Sequence, residues 1–142
     1  MIEIVSLRHD WPEESGFTIL RPNGHEEYTF LHFMTPAEIS VKGIKVDVRP
    51  GGCIFYSPKQ PQWYKAKGNL LHNWFHAKES LQPLLNKFSI PVDEVFYPGD
   101  TRFISDIFYK AELEFFSQEE TKKIMIDALM MEFFLLFIAS NK

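Results

Sequence analysis

Near Lys78 the spacing of apolar residues changes, and no other feature restricts the fold as much. Before that point apolar and polar residues alternate with period two in short runs, each broken by turn-forming residues. The runs predict strands at Ile2–Leu7, Phe17–Leu20, Tyr28–Met34, Glu38–Val41, Ile44–Val48, Cys53–Tyr56, Gln62–Lys65 and Leu70–Ala77. Gly43 marks one hairpin turn and Pro50-Gly51-Gly52 the next. Many short strands joined by close turns predict a barrel or a two-sheet sandwich, because closure removes unpaired edges.

After Lys78 the period lengthens. Ser80–Phe88 reads as a short helix, ended at Ile90-Pro91 because the residue before proline avoids the helical region. Asp100 is placed to cap a second helix, in which Ile104, Ile107, Phe108, Ala111 and Phe115 recur at helical spacing. Ser117 and Glu120 have the spacing of a capping box, which starts the last helix at Gln118.

That last helix carries two apolar seams. One runs Ile124, Ala128, Met131, Leu135, Ile138 and the other Ile126, Met130, Phe133, Phe137. A helix apolar on both sides needs a partner on both sides, and a chain of 142 residues has little mass with which to enclose one. The first seam is therefore expected to pair two subunits into a homodimer. With no repeat or Gly/Ser linker, the chain reads as one α+β domain, β-barrel over about residues 1–78 and helical over about 79–142.

Composition removes several classes of function. Hydrophobic residues make up 45% of the chain, enough for a packed core. A formal charge of −4 lacks the basic excess that neutralises phosphates, so direct nucleic-acid binding is disfavoured. The lone Cys53 forms no internal disulfide and the first residues lack the blocks of a signal peptide, which together fit the cytoplasm. Ile124 to Ala139 contains Asp127 and Glu132 and falls short of the roughly 20 apolar residues that cross a bilayer, so no membrane partner is expected.

Catalytic signatures are sparse. His72 and His76 share a strand face, but four residues of strand rise separate their Cβ atoms by roughly 13 Å, too far to share one metal ion. Cys53 lies among apolar neighbours, where a thiol is inert. No nucleophile elbow or phosphate loop is present, and Gly51-Gly52 is a tight turn. Aromatic planes with polar groups between them are better represented. Trp74 shares a face with His72 and His76, and Tyr64 with Gln62, as the mouth of a barrel would need to hold a compact polar ligand such as a sugar.

The order and spacing of Arg21-Pro22-x-Gly24, Tyr28-Thr29-Phe30-Leu31-His32-Phe33, Val48-Arg49-Pro50-Gly51, Tyr56-Ser57-Pro58-x-x-Pro61-Gln62-Trp63-Tyr64 and Asn73-Trp74-Phe75-His76 resemble the sensor half of AraC-type transcription regulators. The resemblance covers nearly the whole chain. It implies a cupin-like β-barrel that binds a small-molecule effector, then helices through which two subunits pair. It also implies a separate DNA-binding domain, expected to lie outside these residues, with the chain a fragment of a longer regulator. The effector is expected to contact some of His32, Tyr64, Trp74 and His76, with the segment around His9 and Trp11 closing over it.

Metal-binding cupins carry a second motif of Gly, five residues, Pro-x-Gly, two residues, His. Counted from Gly51, this sequence has Ser57, Lys59 and Gln62 at those places. The first motif is echoed only by His32-x-Met34 and Glu38. Neutral Gln62 does not replace imidazole as a transition-metal ligand. No metal, no cofactor and no enzymatic activity are expected. A reading from another class stands beside this one: a metal-free cupin-type sugar isomerase or epimerase, with His76 and Tyr64 as an acid-base pair converging within about 3 Å of one substrate atom.

Overall fold

The computed structural model describes residues 2–140. Eight strands come first: β1 (Ile4–Glu13), β2 (Thr18–Arg21), β3 (Tyr28–Phe33), β4 (Ala37–Val41), β5 (Ile44–Val48), β6 (Cys53–Tyr56), β7 (Gln62–Ala66) and β8 (Leu70–Ala77). A 3₁₀ turn at Glu79–Leu81 leads into α1 (Gln82–Lys87), followed by α2 (Arg102–Phe115) and α3 (Lys122–Ser140). The strands form two four-stranded antiparallel sheets, ordered β1-β8-β3-β6 and β2-β7-β4-β5. This is the α+β architecture expected from the sequence, a cupin-like jelly roll followed by helices.

Two apolar cores lie on opposite faces of the first sheet. Between the sheets, Leu31, Phe33, Ile39, Ile54, Tyr56 and Tyr64 form the smaller one. On the other face, Phe30, Phe55 and Phe75 meet Phe108 of α2 and Phe133, Phe134 and Phe137 of α3. Ring centroids of Phe30 lie 4.7 to 6.0 Å from five neighbouring phenyl rings, within the range of favourable edge and offset contacts. Every residue of β3 is buried, as expected of a strand with both faces covered.

The segment between α1 and α2 covers the free edge of β6. Cys53 and Phe96 exchange backbone hydrogen bonds of 2.8 and 2.9 Å, and Asp93 accepts from the Ser57 backbone N–H and hydroxyl. At the opposite corner, the turn after β2 requires Gly24. Its φ is +68°, and a Cβ there would collide with the backbone of Lys59 and Gln60.

Two elements differ from the sequence reading by more than two residues at one end. Strand β1 runs to Glu13 rather than ending at Leu7, because a bulge between Arg8 and Trp11 lets it stay paired with β8. Helix α3 begins at Lys122 rather than Gln118: the Ser117 hydroxyl accepts from the Glu119 N–H in a turn, not from a helical N3 position. Of the two seams on α3, Ile126, Met130, Phe133 and Phe137 are buried in the monomer. Ile124, Ala128, Met131 and Leu135 are exposed and Ile138 is half-buried. Among the described residues no helix is long and apolar enough to cross a membrane.

Candidate ligand site

Antiparallel register decides which side chains enter the space between the sheets. On β8, His72, Trp74 and His76 point inward, while Asn73, Phe75 and Ala77 point toward the helices. On β3, Thr29 and Leu31 point inward and Phe30 and His32 outward. On β2, Ile19 and Arg21 alternate inward, preceded by Phe17, and β7 contributes Tyr64. The result is a cavity of about 180 Å³ walled by Trp11, Phe17, Tyr64 and Trp74 and closed at one rim by Glu13. It is smaller than the roughly 300–1,000 Å³ of sites for drug-sized molecules, so it suits a compact ligand.

A directed chain of hydrogen bonds crosses the floor of this cavity. Arg21 Nη1 donates to Gln62 Oε1 at 3.1 Å, and Gln62 Nε2 donates to Thr29 Oγ1 at 3.0 Å. A guanidinium can only donate, so the orientation of the Gln62 amide is fixed, and the Thr29 hydroxyl also pairs with His76 Nδ1 at 3.0 Å, a bond that either partner can donate. The His76 ring stacks on His25 at 4.1 Å, and Nδ1 of His25 meets Glu27 Oε2 at 2.8 Å. At the opposite end, His72 Nδ1 donates to the Trp11 carbonyl at 3.0 Å, leaving Nε2 as an acceptor.

Burial shifts three groups of the cavity from their ordinary values. Burial lowers His76 to about 3, with His25 and Arg21 adding to the effect. Burial also lowers His72, against its bond to the Trp11 carbonyl. Tyr64 is raised to about 12 by burial, with Arg21 opposing and Glu13 reinforcing the shift.

The structure brings together Trp11, Tyr64, Trp74 and His76 of the six side chains proposed for the site from sequence. The other two lie on the reverse face of the sheet. His32 stands opposite Asn73 in the β3–β8 register, so it faces α2 and not the cavity. There its Nδ1 accepts from Asn73 Nδ2 at 3.0 Å, its Nε2 has no protein partner, and burial lowers it to about 4. His9 meets Glu112 of α2, Nδ1 to Oε1 at 3.1 Å, and packs edge-on to Tyr109. Arg21 and Thr29 line the cavity and Gln62 bonds both of them, although the sequence reading assigned none of the three to the ligand. Phe17, Ile19 and Arg21 share one strand parity, which is the signal that points to Arg21.

Gln62, standing where metal-binding cupins have histidine, spends its amide on Arg21 and Thr29. Among the described residues no group of three or more His, Cys, Asp or Glu side chains could hold a metal ion.

No family model and no curated protein matches the sequence. Solved structures are similar in shape. ToxT from Vibrio cholerae O395 aligns with a TM-score of 0.55 and 9% identity, covering 96% of this chain and 56% of its own. The likeness is one of fold. ToxT bound to (E)-4-(8-methylnaphthalen-1-yl)but-3-enoic acid gives 0.55 at 12% identity over 96% of this chain and 58% of that one. Wild-type ToxT of strain SCE256, bound to unsaturated fatty acid, gives 0.50 at 9% identity over 99% and 53%. The chain thus spans little more than half the length of these ToxT chains.

Proposed function

We propose that this domain is the ligand-sensing and dimerisation part of an AraC-type transcription regulator. A small effector occupies the cavity between the sheets, two copies pair through Ile124, Ala128, Met131, Leu135 and Ile138, and a DNA-binding domain outside these residues responds. The observation that carries this reading is the two-sided β8 strand: His72, Trp74 and His76 line the cavity, while Asn73 and Phe75 contact α2 and α3. A ligand that favours one position of that strand thereby favours one packing of the helices, which is the differential affinity a sensor requires. The ToxT structures with bound acids support a small-molecule role for a domain of this fold.

The isomerase or epimerase reading is less well supported. Burial lowers His76 to about 3 and raises Tyr64 to about 12, a poor match for an acid-base pair, which works best with values near the operating pH. The test is a thermal-shift panel of sugars and small organic acids on the wild-type chain and on Leu31→Trp, which fills the cavity. A ligand raises the melting temperature of the wild type by mass action and does nothing to the filled variant. A ligand that stabilises both equally binds elsewhere, and the reading is then wrong.

A further inference from the structure

Arg21 is a half-buried cation that faces the cavity between the sheets. Among the described residues it forms no ion pair, and its one side-chain hydrogen bond is to the neutral Gln62 amide. A guanidinium carries five N–H donors in a planar fork, so most of them have no protein acceptor here. At the same end of the cavity His76 is held through Nδ1 by Thr29, and its Nε2 has no protein partner among the described residues. That end of the cavity therefore presents a positive charge whose donors are mostly unmatched. The middle is apolar, formed by Ile19, Leu31, Tyr64 and Trp74. The far end is the reverse of the first: His72 Nε2 is an acceptor and Glu13 an anion that pairs with no cation among the described residues.

We propose that the effector is a compact monocarboxylate, its carboxylate bound by Arg21 and His76 and its apolar body lying along Trp74, Tyr64, Leu31 and Ile19. The proposal rests on the sensing role above and narrows the chemistry of the ligand. A carboxylate supplies the two in-plane acceptors that match a guanidinium fork, and charge-assisted bonds of this kind are roughly twice as strong as neutral ones. A neutral sugar would fill the same volume but leave the Arg21 charge uncompensated. Glu13 at the far end repels a second carboxylate, so the site discriminates monoacids from diacids by charge and not by size alone.

Titration calorimetry on the 142-residue chain tests this with matched probes: benzoate, benzamide, benzyl alcohol, terephthalate and a set of neutral hexoses. Benzoate is expected to bind at least tenfold more tightly than benzamide or benzyl alcohol. Arg21→Gln is expected to lose that margin while leaving the neutral probes unchanged, and Arg21→Lys to keep part of it. Glu13→Gln is expected to admit terephthalate. Melting curves of each unliganded variant separate loss of binding from loss of fold. Hexoses or benzyl alcohol binding as well as benzoate, or Arg21→Gln binding benzoate like the wild type, overturns the carboxylate assignment and leaves the sensing role standing. Failure of every probe to bind overturns both.

Discussion

His9 and Trp11 are two residues apart on β1 yet point to opposite sides of the sheet: His9 bonds Glu112 of α2, and Trp11 lines the cavity. In a regular strand they would share a face. The bulge between Arg8 and Trp11 inserts one residue, Asp10, whose φ of +44° is tolerated by a short polar side chain. Deleting Asp10 makes His9 and Trp11 adjacent, and regular alternation then also puts them on opposite faces, with Trp11 still paired to His72 in the cavity. The deletion variant is expected to retain its far-ultraviolet circular dichroism and any response of tryptophan fluorescence to a cavity ligand. Asp10→Gly, which keeps the bulge, is expected to preserve that response.

The two seams of α3 are separable by mutation. Phe133 is fully buried among aromatic rings, and Phe133→Ala is expected to cost about 3–5 kcal/mol in urea unfolding. Leu135 is 53% and Ile124 65% exposed in the monomer. Replacing both by Glu is expected to leave the fold of the subunit intact and to convert a dimer into a monomer in sedimentation velocity. A double variant that sediments as the wild type would show that this seam pairs nothing.

Stability should fall on mild acidification. Burial holds His32 near about 4 and His76 near about 3, against 6.5 in an unfolded chain. As pH drops below 6.5 the unfolded state takes up protons that the folded state refuses, so stability is greatest above that value and declines toward pH 4. Each histidine contributes up to about 1.4 kcal/mol per pH unit across that window. Melting temperatures between pH 7 and 5, above the range where most carboxylates titrate, should show the decline, and His76→Gln should make it shallower.

Asn73 ties three elements together behind the cavity wall. Its side chain accepts from the Asp10 N–H at 2.7 Å and donates to His32 Nδ1 and Ser105 Oγ at 3.0 and 3.1 Å. Asn73→Leu leaves these groups without their partner and is expected to cost roughly 1–3 kcal/mol for each one that stays buried and unpaired. Ser105→Ala should cost less, since Asn73 retains its two other bonds. Chemical denaturation of both variants checks the order.

How much of this was legible in the sequence depends on what each residue pattern encodes. Strands β5, β6 and β8 fall where alternation predicts them, because each is bounded by strong turn chemistry. The alternation on β8 also groups His72, Trp74 and His76 correctly, since parity within one strand is a local property. Parity does not say which face is inward. His32 lies in a run buried on both sides, and its side is fixed only by the pairing of β3 with β8, a contact between residues about forty positions apart. Arg21 was visible as part of a turn motif, but its unpaired charge becomes apparent only when the nearest carboxylates are located in space.

Because β8 assigns alternate residues to two compartments, the chemistry of recognition and the packing of the helices are written on different positions of one strand. Under the proposed sensing role, positions 72, 74 and 76 set the ligand while 73, 75 and 77 hold the helices. Substitutions in the first set then alter what the cavity accepts without disturbing how the helices pack.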